Sequence, residues 1–114
     1  MKSYKLKLHR QLILILAIFA AKCVFYGHPG ETGSTTANGE KFDPLGPTCT
    51  APKHIGFDTM LEVTNQRTGR SVQVRVNDRF PGPPKGDTLD LTFGAFGKLA
   101  KHHDGEFPCD YKIL

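Results

Sequence analysis

The stretch MLEVTNQRTGRSVQVRVNDR, residues 60–79, decides the fold of this 114-residue chain. Apolar and polar residues alternate over residues 60–64 and again over residues 71–76, which is the period of a strand with one buried face. Between them, residues 65–70 are turn-forming and include Gly69, which can adopt a positive φ. The stretch therefore predicts a β-hairpin in the middle of the chain.

The remainder of the chain from residue 22 onward favours short strands and turns, because it is rich in Gly, Pro, Thr and Asn. Residues 24–26 and 109–114 are candidate first and last strands. The prolines of residues 81–84 exclude regular structure there. Apolar residues recur at helical spacing after Thr92, a candidate N-cap, and predict one short helix. We therefore expect a small closed all-β domain.

The N-terminal segment has the composition of an export signal. Four basic residues lie within residues 2–10, and an unbroken apolar run follows over residues 12–21. As a helix this run would reach only about 15 Å, half of what a bilayer core requires. The pattern predicts a secretory signal peptide over residues 1–21, cut near Ala20 or Ala21, in preference to an uncleaved anchor helix.

Export also explains the charge of the chain. Its net charge of +4 comes from fifteen Lys and Arg residues against eleven Asp and Glu residues, and four of the basic residues belong to the leader. The mature protein is therefore close to neutral. A basic chain would otherwise suggest a nucleic-acid or anionic-membrane partner, and we expect neither after cleavage.

Three cysteines remain after the leader: Cys23, Cys49 and Cys109. In an exported protein one pair is expected, with the third residue left over. A Cys49–Cys109 disulfide would close a loop of about 60 residues and contribute about 4 kcal/mol in the chain-entropy model, so we expect this pair. Cys23 is then free, paired otherwise or lipidated, although Lys22 occupies the place where a lipidation signal has a small residue.

Five segments, taken in order, resemble the rare lipoprotein A family of double-psi β-barrels: residues 25–27 (FYG), 36–44 (TANGEKFDP), 63–70 (VTNQRTGR), 74–79 (VRVNDR) and 89–99 (LDLTFGAFGKL). The resemblance covers nearly all of residues 22–114. It implies a six-stranded double-psi β-barrel with one or two short helices and an open groove for a polysaccharide. The family includes lytic transglycosylases that cut peptidoglycan glycan strands, and it is distantly similar to expansins and barwin-like proteins.

The resemblance assigns catalytic positions to Asp78 and Glu40. A carboxyl group with a raised pKa can protonate the leaving oxygen of a glycosidic bond. It can then accept the proton of the muramic C6 hydroxyl, which attacks the anomeric carbon and leaves a 1,6-anhydro end without a metal or other cofactor. Asp78 follows a hairpin strand and is the first candidate; Glu40 lies in a loop and suits substrate positioning. On local sequence alone, residues 77–79 also fit a turn with an internal salt bridge.

The other candidate substrate contacts come from the same motifs and the loops beside them: Tyr26, Asn38, Asn77, Arg79, Phe80 and His54. Two of these positions mark departures from the family. Catalytic members carry a His where this chain has Ala51 or Pro52, and His54 follows two or three positions later, either as a substitute or as a solvated loop residue. Phe80 stands where the family has Gly, and it would narrow the groove or offer an apolar face to a sugar ring.

The pair His102-His103, followed by Asp104, is the remaining cluster of potential metal ligands. Adjacent side chains on a helix point about 100° apart, so they rarely bind one ion together. We interpret the cluster as a polar helix end and expect no metal site.

Two functional hypotheses follow. The retained carboxylates favour a secreted or periplasmic lytic transglycosylase that acts on peptidoglycan as a monomer. The missing His favours an expansin-like or barwin-like module that binds a cell-wall polysaccharide without cutting it. A secreted effector that uses the barrel as a scaffold is a third possibility, because one fold hosts many functions.

Overall fold

The computed structural model describes residues 17–84 and 86–114. Most of the predicted signal peptide lies outside the described residues, and its cleavage stays a prediction. The described elements are six strands and two short helices, with these bounds: β1 Phe19–Tyr26, β2 Thr48–Thr50, β3 Met60–Asn65, β4 Ser71–Asp78, β5 Thr88–Thr92, α1 Phe93–Gly97, a 3₁₀ helix His102–Asp104, and β6 Phe107–Ile113.

The six strands form a closed barrel in the order β1-β5-β2-β4-β3-β6. The pairs β1–β5 and β2–β4 are parallel, and the other four pairs are antiparallel. Strands β3 and β4 are the predicted hairpin: Thr64 lies opposite Ser71, and Gly69 in the turn has φ +76°. The prediction from residues 60–79 is confirmed.

The barrel interior is filled by one side of each strand. In β3 and β4 the apolar members of the alternating pattern, Leu61, Val63, Val74 and Val76, are fully buried. Glu62, Gln73 and Arg75, which alternate with them, are partly or fully exposed, as the pleat requires. The same core takes one or more residues from every other strand and from α1: Cys23, Cys49, Leu89, Leu91, Ala95, Phe96, Phe107, Cys109 and Tyr111.

Helix α1 begins at the predicted cap. The Thr92 hydroxyl oxygen accepts a hydrogen bond from the Ala95 backbone N–H at 3.1 Å. A Cβ at Gly94 would lie 2.6 Å from the Leu45 carbonyl oxygen, so this close approach requires glycine. The residues before the cap form strand β5, and β2 lies in an earlier segment. Neither strand was predicted, because each is short and buried along most of its length.

Strand β1 begins at Phe19, before the predicted domain boundary at residue 22. Phe19 pairs with Tyr111 of β6, and Ala21 pairs with Cys109. The rings of Phe19 and Tyr111 stack with their centroids 5.3 Å apart. The barrel thus includes the last residues assigned to the leader, so a cut near Ala21 would shorten β1.

The predicted Cys49–Cys109 disulfide is wrong. Cys23 bonds to Cys109, with their Cα atoms 6.0 Å apart, and Cys49 is a buried free thiol whose pKa burial raises to about 12. The reason is the order of the strands. Strand β1 lies beside β6, whereas β2, which carries Cys49, pairs with β4 and β5 on another side of the barrel. The length of the loop between two cysteines, on which the prediction was based, does not reveal which strands are neighbours in the barrel.

His102 is packed against aromatic rings instead of forming a solvated helix end. Its ring stacks on Phe93 with centroids 3.6 Å apart, and its Nε2 lies 2.7 Å from the Phe93 carbonyl oxygen. His103 pairs with Asp104. Within residues 17–84 and 86–114, no group of three or more His, Cys, Asp or Glu residues is arranged to hold a metal ion. The same part of the chain contains no helix long and apolar enough to cross a bilayer.

Candidate active site

Two aspartates lie on either side of Thr50 at the end of strand β2. Thr50 pairs with Asp78 of β4 through a parallel ladder and with Asp90 of β5 through an antiparallel one. Three neighbouring strands therefore bring two carboxyl groups, far apart in sequence, to one place on the barrel.

A β-bulge places Asp78 in this position. Cys49 lies opposite Val76, but the next residue, Thr50, lies opposite Asp78, so Asn77 is the extra residue. Without the bulge, strict alternation would direct Asp78 to the interior with Val74 and Val76. Bulges re-aim side chains in this way beside many active sites. Asp78 is accordingly half-buried and not part of the core.

The Asp78 carboxylate is held by donors from three directions. Its Oδ1 accepts hydrogen bonds from the backbone N–H groups of Ala37 and Arg79, each at 2.9 Å. Its Oδ2 accepts a longer hydrogen bond from the Tyr26 hydroxyl at 3.4 Å. Burial raises the pKa of Tyr26 above its ordinary value, and the negative charges of Asp78 and Asp90 add to the rise. Tyr26 therefore keeps its proton and remains a donor.

Asp90 is the functional candidate that the sequence analysis missed. Burial raises its pKa from 3.8 to about 6, and the negative charge of Asp78 contributes to the rise. Its Oδ1 is buried and has no hydrogen-bond partner among the described residues. One sequence signal was present: Asp90 lies between Leu89 and Leu91, two apolar residues of a strand whose core face is fully buried.

Glu40 is in a different chemical state. Its carboxylate forms a two-pronged ion pair with Arg75, with Nη1 on Oε1 and Nη2 at 2.9 Å from Oε2. Asn38 and Asn77 donate further hydrogen bonds at 2.7 and 3.3 Å. The Arg75 hydrogen bonds, followed by those of the two amides, lower the pKa of Glu40 to about 2. Glu40 thus stays ionised at any pH near neutrality and has no proton to give.

The loop of residues 36–40 connects Glu40 with Asp78. The Ala37 N–H binds the Asp78 carboxylate, and the Asn38 N–H donates to the Asn77 carbonyl oxygen at 3.3 Å. Glu40 at the end of the same loop binds Arg75, which also pairs with Asp58 at 2.9 Å. The structure thus brings the two predicted catalytic residues to the same end of β4, where one loop contacts Asp78 and Arg75.

Three predicted substrate contacts are used within the protein. The Asn38 side chain bonds to Thr36 and Glu40, and Asn77 is buried against Glu40. The Arg79 guanidinium donates to the carbonyl oxygens of Ala51, Pro52 and Ile55 at 3.0, 3.3 and 2.7 Å, and lies 4.3 Å from the centroid of the Phe57 ring. These side chains hold loops in place. A sequence motif cannot show whether a residue has this structural role or contacts a sugar.

The other predicted contacts lie at the surface of the site. Tyr26 is half-buried beside Asp78. His54 and Phe80 line a cavity of about 350 Å³ between residues 51–54 and residues 79–84. At the place of the family's His stand Ala51, which is fully buried, and Pro52, which lines the cavity. Neither side chain has a group that can titrate.

Known proteins share the sequence pattern and the fold of this chain. A family model described as lytic transglycolase matches residues 19–111. A Nostoc sp. protein named probable endolytic peptidoglycan transglycosylase RlpA is 42% identical over 91 residues, covering 79% of this chain and 24% of that relative. Among solved structures, the Streptomyces papain inhibitor superposes with a TM-score of 0.69 at 22% identity, over 85% of this chain and 94% of the inhibitor. A mutant Clavibacter michiganensis expansin in complex with cellohexaose superposes with a TM-score of 0.63 at 20% identity, over 85% of this chain and 50% of the expansin.

The fold and the match over nearly the whole described chain define a double-psi β-barrel, and the predicted fold class is confirmed. The chain belongs to the lytic transglycosylase family of double-psi β-barrels, as its resemblance to the rare lipoprotein A family predicted. It spans about a quarter of the length of the RlpA relative from Nostoc.

Proposed function

We propose that this chain is an exported lytic transglycosylase that cleaves the glycan strands of peptidoglycan to 1,6-anhydro ends. The observation that carries the proposal is the pair Asp78 and Asp90, which flank Thr50 and differ in environment. Glycosidic cleavage needs a carboxyl group that holds a proton, most glycosidases add one that is charged, and an asymmetric pair of this kind provides both.

The environments divide the roles. Asp90, with its pKa raised to about 6, carries a proton in a large fraction of molecules at mildly acidic pH and donates it to the glycosidic oxygen as the C1–O bond breaks. The muramic C6 hydroxyl oxygen then bonds to C1, and its proton returns to the carboxylate pair. The pair holds one proton before and after turnover, so no water is consumed. This assignment moves the acid from Asp78, the first candidate from sequence, to Asp90.

Asp78 supplies the negative charge that faces the developing positive charge on the sugar ring. Its orientation is set by Ala37 N–H, Arg79 N–H and the Tyr26 hydroxyl. Preorganised groups of this kind lower a barrier because they need no rearrangement during the reaction. Burial is the main cause of the raised pKa of Asp90, and the negative charge of Asp78 adds to it, so the pair favours the proton on Asp90.

Glu40 has a positioning role in this proposal. Its ion pair with Arg75 fixes the end of the 36–40 loop, and the same loop places the Ala37 N–H on Asp78. Glu40 therefore acts on the reaction through the loop and exchanges no proton with the substrate.

The alternative is a binding module that grips wall polysaccharide without cutting it. One observation favours it: Ala51 and Pro52 leave no titratable group at the position of the family's His. An expansin that shares this fold over half of its own chain was solved in complex with cellohexaose.

Digestion of purified sacculi separates the two functions. Mass spectrometry of the products from the full chain should find 1,6-anhydro-muropeptides, and Asp78→Asn and Asp90→Asn should each abolish them. Glu106→Gln, which changes an exposed carboxylate, is the matched control and should cut normally. Retention of the chain on sacculi without any anhydro product would establish the binding module and overturn the enzyme.

A further inference from the structure

A groove at the other end of β4 from Asp78 is lined by cationic side chains. It lies between the turn of the β3–β4 hairpin and the segment after α1, and its volume is about 460 Å³. Arg67, Arg70 and Lys101 line the groove and are exposed. Within residues 17–84 and 86–114, none of these three side chains forms an ion pair or a hydrogen bond. Their charges are therefore available to a ligand.

A buried asparagine fixes the two walls of the groove relative to each other. The Asn65 side chain is 3% exposed, and its Nδ2 donates to the Leu99 carbonyl oxygen at 2.8 Å, which joins the turn to the segment after α1. The Asn65 Oδ1 accepts a hydrogen bond from the Arg67 backbone N–H at 2.9 Å. The Asn65 N–H donates to the Arg70 carbonyl oxygen at 2.9 Å and closes the turn. The backbone that carries both arginines is thus set before a ligand binds, which lowers the cost of ordering it.

The acidic groups nearby leave the groove positively charged. Asp104 is the one carboxylate among the described residues that line it, and its Oδ1 lies 3.4 Å from the His103 Nε2. Glu106 lies in a neighbouring groove and pairs with Lys22 at 3.9 Å. Two arginines and a lysine therefore face a single carboxylate. The ligand that fits this charge is an anion.

The lining also limits the kind of anion. Phe107 and Leu99 are 2% and 1% exposed, so the groove offers no open apolar face on which a sugar ring could stack. The large exposed apolar side chains of the described chain all lie elsewhere, so nothing in the groove would insert into a lipid surface. The guanidinium fork binds the paired oxygens of a phosphate with two parallel hydrogen bonds. These features favour a flexible backbone that carries phosphate groups.

We propose that this groove binds a cell-wall polymer with phosphodiester groups in its backbone and thereby holds the protein on the wall. Arg70 immediately precedes β4 and Asp78 ends it. A strand of this length, with a rise of about 3.3 Å per residue, separates the two by about 20–25 Å. A polymer in the groove would therefore leave Asp78 and Asp90 uncovered. The inference does not depend on cleavage, because a binding module would use the groove in the same way.

A titration of the full chain with short poly(glycerol phosphate) tests the inference. Amide resonances of residues 66–70 and 99–104 should shift in ¹⁵N NMR spectra, whereas dextran, a neutral polymer, should leave them unchanged. The affinity should fall severalfold when the salt concentration rises from about 0.02 M to about 0.2 M, because the Debye length shortens from about 20 Å to about 7 Å. Shifts resolved by residue also distinguish this groove from the basic residues of the N-terminal segment.

Variants of the two arginines test which charges bind the polymer. Arg67→Gln combined with Arg70→Gln should weaken binding about tenfold, since each exposed charge contributes about two- to fivefold. Arg67→Lys combined with Arg70→Lys keeps the charge and should retain most of the affinity, which guards against a folding defect. Lys41→Gln combined with Lys53→Gln is the matched control. It removes the same charge from exposed positions near the Asp78 end of the barrel and should bind as the parent does.

Three outcomes would overturn the inference: binding as tight in the double Gln variant of the arginines as in the parent, an equal loss in the lysine control, or shifts that spare residues 66–70 and 99–104. Co-sedimentation with vesicles of phosphatidylglycerol and phosphatidylcholine is a second arm, and binding to the vesicles without binding to the polymer would also overturn it. The sacculus digest separates this inference from the proposed function. Anhydro products without polymer binding would leave the enzyme standing and sink the inference; polymer binding without products would do the reverse.

Discussion

Replacing Asp90 by Asn should stabilise the protein at neutral pH while it abolishes the proposed activity. The side chain is half-buried, its Oδ1 has no partner among the described residues, and its pKa rises from 3.8 to about 6. At about 1.4 kcal/mol per pKa unit, ionising Asp90 in the folded state costs about 3 kcal/mol. Partial exposure screens this cost, and we expect about 1–2 kcal/mol.

The sign of the pH dependence follows from the direction of the shift. The folded state holds the Asp90 proton to a higher pH than the unfolded chain does. Between pH 3.8 and about 6 the folded state therefore binds more protons, and the free energy of unfolding falls as the pH rises. Above about pH 7 the contribution becomes constant. Asn has no such titration, so the variant should lack this slope.

Urea unfolding of both proteins from pH 4 to pH 8, with the disulfide intact, measures the effect. The two free energies should nearly coincide at pH 4, and the variant should be about 1–2 kcal/mol more stable above pH 7. Glu106→Gln should follow the parent at every pH. A variant that is less stable than the parent at pH 7, or that keeps the same slope, would refute the reasoning about Asp90.

Three further predictions follow from the contacts. Asp78→Asn should lower the pKa of Asp90, since it removes a neighbouring negative charge. Carboxyl ¹³C NMR titration measures this pKa, and an unchanged value would contradict the prediction. Glu40→Gln should lower the rate of cleavage only in part, while hydrogen exchange at the Ala37 amide quickens; total inactivation with unchanged exchange would instead indicate a direct chemical role. Peptide mapping should find the Cys23–Cys109 link and one thiol at Cys49, whereas a Cys49–Cys109 peptide would contradict the fold described above. Cys23→Ser should lower the free energy of unfolding by about 2–5 kcal/mol.

The hairpin and the helix could be predicted because their signals are local. Strands β3 and β4 alternate over several residues each, and Thr92 caps α1 as its side chain allows. Strand β2 has three residues, all buried, so it offers no alternation to detect. Its neighbours come from distant parts of the chain, and the disulfide depends on the same order of strands. Those relations are properties of the closed barrel and not of any one segment.

The candidate site shows the same division. The motif residues Asp78 and Glu40 were found: Asp78 binds the 36–40 loop through the Ala37 N–H, and Glu40 ends that loop. The protonation states of Glu40 and Asp90 could not be predicted, because each depends on the groups that the fold places beside the carboxyl. Glu40 meets Arg75, which lowers its pKa, while burial raises that of Asp90. Motif matching finds residue types, but a chemical role follows from the charge that the fold places beside each of them.

A buried carboxyl oxygen without a partner is unfavourable for folding, so the presence of one at Asp90 needs an explanation beyond stability. The carboxylates of Asp78 and Glu40 are well satisfied, the first by three donors and the second by Arg75 and two amides, but Asn77 Oδ1, like Asp90 Oδ1, is buried without a partner among the described residues. The bulge at Asn77 is a second local irregularity, and it brings Asp78 into register with Thr50, which pairs with Asp90 on its other side. Two departures from regular strand chemistry thus meet at one place, which is expected where a protein gives up stability for function. Together they separate an acid from a base across one threonine, and this argues for proton transfer over passive binding at this end of the barrel.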